Sequence, residues 1–91
     1  MGMKQIYLEV TFRHGRALAA YLYLPRRSRE KSYRTTKTHG GLLVDFSRSG
    51  RPIGIEITAP SKLTVGTLNR VLRELGQPTV KRADLGPLRA A

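Results

Sequence analysis

Ninety-one residues leave room for one domain and not for two. Seventeen Lys and Arg against six Asp and Glu give a net charge of +11, an excess that draws a chain toward nucleic acid, anionic lipid or acidic protein. The absence of cysteine excludes a disulfide framework and thiolate chemistry, and no apolar run approaches the ~18 residues of a membrane span, so the expectation is a small cytoplasmic domain without membrane association.

No basic start with a longer apolar stretch marks a secretory leader, and Ile6 stands where an N-myristoylation signal needs Ser or Thr. Gln5 to Phe12 alternates: Ile6, Leu8, Val10 and Phe12 fall on one side, Tyr7, Glu9 and Thr11 on the other, the period of a half-buried strand. Arg13-His14-Gly15-Arg16 reads as a tight turn. Arg16 to Leu24 is a second strand, stopped by Pro25 and apolar on both faces. A two-residue turn sets Tyr21 and Tyr23 beside Leu8 and Val10, a three-residue turn sets the leucines there, and both registers remain open. Either leaves one apolar row on the far face, a place for a covering element or for a homodimer formed through this strand.

Residues 25–39 hold six cations against Glu30 and read as a basic loop, mobile in its first half. Tyr33 to Thr38 suits a short edge strand. Leu42–Ser47 and Pro52–Thr58 form a hairpin about Ser49-Gly50, in which Phe46 faces Ile53, Val44 faces Ile55 and Leu42 faces Ile57, while Asp45, Gly54 and Glu56 share the opposite face. Gly50 is the turn glycine, and Gly54 marks a close backbone approach or a bulge. Thr64 is placed to cap a helix whose stripe is Val65, Leu68, Val71, Leu72 and Leu75, ending at Gly76 and Pro78. The fold class is therefore α+β: an antiparallel four- to five-stranded meander packed on one C-terminal helix, β-β-(β)-β-β-α. Residues 1–78 make the single domain, and 79–91 a flexible basic tail.

The run from Leu42 to Ile57 resembles the YuzE-like small bacterial proteins, a domain family of unknown function. Their hairpin reads approximately as apolar-Val-Asp-aromatic-x-x-x-Gly-x-x-x-Gly-Ile-Glu-Ile. Ala19-Ala20-Tyr21-Leu22-Tyr23-Leu24 is similar to the family's aromatic second strand, and the resemblance spans roughly Leu8 to Leu75. Ser47, Arg48 and Ser49 replace the acidic turn usual in the family. The resemblance implies strands plus one helix and carries no activity with it. Some relatives look like partners of small toxin-like proteins, which implies an antitoxin-like interaction module.

Asp45 and Glu56 lie diagonally on one hairpin face, without a nucleophile or histidine assembled beside them, so they are read as fixing the hairpin rather than as acid–base catalysts. Asp45-x-Ser47-x-Ser49-Gly50, with Glu56 at the twelfth position, matches calcium-loop spacing but lacks its acids. His14 and His39 lack further ligands at zinc spacing. Neither an enzyme, a metal site nor a cofactor is expected.

The charge, by contrast, is segregated: residues 25–39 carry net +5, 61–91 net +4, and 40–60 are neutral. A nucleic-acid or anion-binding surface is expected from Arg26, Arg27, Arg29, Lys31, Arg34 and Lys37, with Tyr33 stacking on a base. Arg70, Arg73, Lys81 and Arg82 are expected as secondary contacts. The rival expectation is a protein-interaction module whose basic segment orders on an acidic partner.

Overall fold

The computed structural model describes residues 5–26 and 29–88, and among these residues five strands and one α-helix build the fold. The strands are β1 (Tyr7–Arg13), β2 (Arg16–Tyr23), β3 (Arg34–Lys37), β4 (Leu43–Phe46) and β5 (Pro52–Ile57); the helix is α1 (Val65–Glu74). Short 3-10 turns lie at His39–Gly41, Pro60–Lys62 and Arg82–Leu88.

All pairings are antiparallel, and the class is α+β as expected, but the strand order is β1-β2-β5-β4-β3 and not the sequential order of a meander. The physical reason is the basic segment. It leaves β2 at one end of the sheet, passes β5 and β4, and delivers the chain to the far edge as β3, so β5 returns to pair with β2 at the centre. The second strand is therefore flanked by β1 on one side and β5 on the other.

Both hairpins set their register by a turn and a bulge together. In the first, His14 (φ 52°) and Gly15 (φ 74°) make a two-residue turn of the type I′ sign pattern. That turn alone would put the tyrosines beside Leu8 and Val10. Thr11 pairs with Ala19 while Phe12 pairs with Ala17, so Leu18 is an extra residue that slips the inner half by one. Leu8 then faces Leu22, Val10 faces Ala20, and Tyr21 and Tyr23 go to the other face.

In the second hairpin, Val44 faces Ile55 as expected, but the turn does not lie at Ser49-Gly50 alone. Ser47 N–H donates to the Arg51 carbonyl (2.8 Å) and Gly50 N–H to the Ser47 carbonyl (2.9 Å), which makes a three-residue loop with Gly50 at φ 88°. Phe46 consequently pairs with Pro52 and not with Ile53, and the extra residue is absorbed at Ile53.

One face of the sheet packs against the helix. Ala20, Leu22, Leu24, Val44, Ile55 and Ile57 from the strands meet Leu68, Val71 and Leu72 from α1 in one buried cluster. Burying each such leucine, isoleucine or valine contributes about 1.5–3 kcal/mol. Thr64 caps the helix, its hydroxyl accepting from Thr67 N–H at 3.1 Å, and Gln77 N–H closes the other end on the Leu72 carbonyl at 2.8 Å.

The segment expected to be a flexible tail is packed over its described part. Leu85 and Leu88 are buried in the same cluster, and Val80 exchanges two hydrogen bonds with Asn69 of α1 (2.8 and 2.9 Å). No helix among the described residues is long and apolar enough to cross a membrane.

Candidate functional site

The sheet's other face is open, and the hydrogen-bond register places Tyr7, Glu9, Tyr21, Tyr23, Gly54, Glu56, Asp45 and Thr35 on it. Tyr7 stacks on Tyr23 with centroids 4.5 Å apart, and Tyr21 meets Tyr23 edge-on at 4.7 Å. Tyr21 reaches across β5: its hydroxyl donates to Asp45 Oδ2 at 2.7 Å, and Thr35 donates to Asp45 Oδ1. One carboxylate thus ties β2, β4 and β3. The ring can lie flat only because position 54 lacks a side chain; a Cβ there would overlap the ring and hydroxyl of Tyr21. Asp45 thus joins its hairpin to β2 and β3 through two hydroxyls, Gly54 admits the Tyr21 ring, Gly50 takes the positive φ of the turn, and Glu56 is exposed on the same face.

Burial, and then the Asp45 carboxylate, hold the Tyr21 phenol well above the ordinary tyrosine range; the nearby Arg26 charge opposes the shift. The unfolded chain releases that proton near pH 10, whereas the folded chain retains it. The contribution is therefore complete below about pH 10 and is lost as pH rises toward the folded value. Denaturant midpoints measured at about pH 8 and about pH 11 should fall further for the native chain than for Tyr21→Phe.

This aromatic face is a poor platform for a polyanion, because three of the six acidic residues, Glu9, Asp45 and Glu56, sit on it. The cations gather elsewhere. The basic segment crosses the same end of the sheet as the β4–β5 turn and is tied to it. Glu30 pairs with Arg51 at 3.4 Å, and Tyr33 N–H donates to the Phe46 carbonyl at 2.8 Å. Over its described residues, the loop expected to be mobile is thus anchored at Glu30 and Tyr33. Between loop and turn lies a concavity lined by Arg29, Lys31, Tyr33 and Arg48 together with Ser32, Ser47, Ser49 and the acidic Glu30, whose carboxylate is paired with Arg51. Tyr33 is 65% exposed, and the Arg48 guanidinium lies 5.1 Å from its ring centroid. Arg29 is held at φ 67°, a left-handed conformation costing a non-glycine residue about 1–2 kcal/mol.

The other expected contacts do not converge on this place. Arg26 turns inward: it donates to the Ile53 carbonyl, its Nε is buried without a partner, and its guanidinium lies 5.3 Å from the Tyr23 ring centroid. Arg34 lies 4.3 Å from the Phe46 ring centroid and bonds Thr36, while Lys37 pairs with Leu43 on the open face. Arg70 and Arg73 are on the helix, which covers the opposite face of the sheet, and Arg70 lies 3.8 Å from Glu74. Lys81 and Arg82 belong to the C-terminal segment, and Arg27 falls outside the described residues.

Arg48 is the contributor that sequence reasoning passed over. Its hairpin is neutral in sum, but Glu30 draws Arg51 away and leaves Arg48 beside Tyr33. The one signal for it is the arginine at the centre of Ser47-Arg48-Ser49 in the hairpin turn. Among the described residues no three His, Asp or Glu side chains gather as metal ligands would. Neither protein-family models, nor curated proteins, nor solved structures give a match to the chain, so the likeness of its hairpin to YuzE-like proteins rests on the residues quoted above.

Proposed function

We propose that the protein is a non-enzymatic binding module for single-stranded nucleic acid, which it holds in the concavity between the basic loop and the β4–β5 turn. The observation that supports this most directly is the exposed Tyr33 ring with Arg48 against it and Arg29 and Lys31 lining the same recess. An aromatic face beside guanidinium groups is the combination that stacks a base and neutralises its phosphates, and it favours unpaired strands, whose bases are free to stack. The net charge of +11 steers any such strand toward the molecule.

Fluorescence anisotropy with short oligonucleotides tests the reading. Three cations on phosphate give a salt slope near −2, at roughly −0.7 per contact. Affinity should then fall about 20-fold between about 50 and about 200 mM salt. Tyr33→Ala should weaken binding by about 1–3 kcal/mol, the usual worth of one stacked base, and Arg48→Ala should flatten the slope. Binding that ignores salt, or a duplex bound as tightly as a single strand, would sink the proposal. A stoichiometric protein partner that survives nuclease treatment would favour the rival reading, in which this chain is the antitoxin-like module and a small acidic or toxin-like protein occupies the same recess.

A further inference from the structure

The two edges of the sheet are treated differently. β3 is four residues long, every one of them is exposed, and Arg34 and Lys37 flank its two threonines. Short, cation-bearing edges of this kind resist pairing with another chain. β1 is less protected: it is longer, and its one cation, Arg13, stands at the very end of the strand. It runs for seven residues without proline, its apolar row Leu8, Val10 and Phe12 continues to the end of the strand, and Phe12 is left 47% exposed. The C-terminal segment flanks the start of β1, where Ile6, Leu8 and Leu85 line one concavity. Among the described residues no backbone group of β1 bonds outside its pairing with β2. The half from Glu9 to Arg13 is thus an open edge of the type that recruits a further strand.

We propose that this half-strand is a self-association edge, on which β1 of a second copy pairs antiparallel with Thr11 facing Thr11 across a two-fold axis. The side chains select that register. Pairing must keep both apolar rows on one side of the joined sheet, which requires a residue, and not a gap, at the axis. Placing Glu9 at the axis opposes two carboxylates. Placing Val10 there sets Tyr7 against Arg13 and brings the flanked Leu8 into the seam. With Thr11 at the axis, Glu9 of each copy faces Arg13 of the other and Phe12 faces Val10, so the contact uses only the open half of the strand. Like-charged residues directly opposite are unfavourable and opposite charges favourable, so one register carries two ion pairs and buries both exposed phenylalanines. The interface is isologous and closes at two copies.

Mass measurement by light scattering or sedimentation tests this. The native chain should have twice its 10.2 kDa mass as concentration rises. Glu9→Arg and Arg13→Glu should each lose the dimer, and the double swap Glu9→Arg/Arg13→Glu should restore it. Both residues are exposed, so the fold should survive. The chain has no cysteine, which allows a second test on an otherwise native background. Two Thr11 positions facing each other across an antiparallel pair lie within disulfide reach. Thr11→Cys should therefore give a covalent dimer on mild oxidation, and Tyr7→Cys should not. A native mass of one chain at every concentration, a double swap that stays monomeric, or equal cross-linking at both positions would each overturn the proposal.

Discussion

Gly54→Ala should destabilise the protein by about 3 kcal/mol, far more than one methyl group usually does. The added Cβ would sit where the Tyr21 ring and hydroxyl now lie. The ring cannot slide away freely, because its hydroxyl donates to Asp45 and its edge meets Tyr23. Relief requires lifting the ring off β5, which gives up the Asp45 bond and leaves a carboxylate with Thr35 as its remaining hydroxyl donor. Overpacking costs about 1–3 kcal/mol, and the lost charged hydrogen bond adds about 1.5–3 kcal/mol. The mechanism is checked by a double-mutant cycle in denaturant. Tyr21→Ala removes the obstruction, so Gly54→Ala in that background should cost little, a coupling of at least about 1 kcal/mol. Equal costs in both backgrounds would show that Gly54 serves the backbone alone. Tyr21→Phe should not rescue, because ring carbons as well as the hydroxyl occupy the space.

That coupling could be anticipated only in part from the residues. A glycine within an alternating strand announces a close backbone approach or a bulge; the visitor is instead the Tyr21 side chain, whose placement depends on register. The strand Arg16–Tyr23 is apolar on both faces, so hydrophobic pattern could not choose between its leucines and its tyrosines. The choice was made by an extra residue at Leu18, and a bulge leaves no periodic trace. In the second hairpin the same device operates at Ile53, but there one face is strongly apolar. The inner register, Val44 with Ile55, therefore followed from the pattern even though the turn proved one residue longer. Helix α1 was legible from Thr64 to its C-terminal turn because cap, stripe and stop signal agree.

The candidate site was legible as charge and not as geometry. Six cations in residues 25–39 mark a basic segment, but composition cannot tell which of them the fold consumes. Arg26 is drawn inward by the Ile53 carbonyl, and Arg34 is drawn over Phe46. Arg48 joins the recess from a segment that is neutral in sum, because the crossing of the loop over the hairpin turn pairs Glu30 with Arg51. Strand order decides this, and strand order follows from a long connection whose destination no local pattern encodes.

The last large effect concerns the C-terminal segment, where composition pointed to a loose tail. Leu85 and Leu88 are spaced by three residues and lie in a 3-10 turn, in which positions i and i+3 eclipse. Both leucines therefore point one way, and both are buried against the sheet–helix core, with 4% and 6% of their surface left exposed. Asn69 of α1 holds the start of the segment through both polar groups of Val80. Truncating two buried leucines to alanine costs about 2–5 kcal/mol each, against a total stability of roughly 5–15 kcal/mol for a small domain. Leu85→Ala/Leu88→Ala should therefore lower Tm by about 20 °C or more, at about 4–8 °C per kcal/mol for a chain of this size. Removing residues 79–91 should abolish cooperative unfolding at room temperature, since it also strips Asn69 of its partners. Arg82→Ala, an exposed change within the same segment, should leave Tm nearly unchanged. Calorimetry or thermal circular dichroism separates the two pictures: a double-leucine variant melting within about 5 °C of the native chain would return the segment to the status of a tail. A large shift would establish that the domain extends to Leu88, and that its core is closed by a segment in which no hydrophobic period can be read.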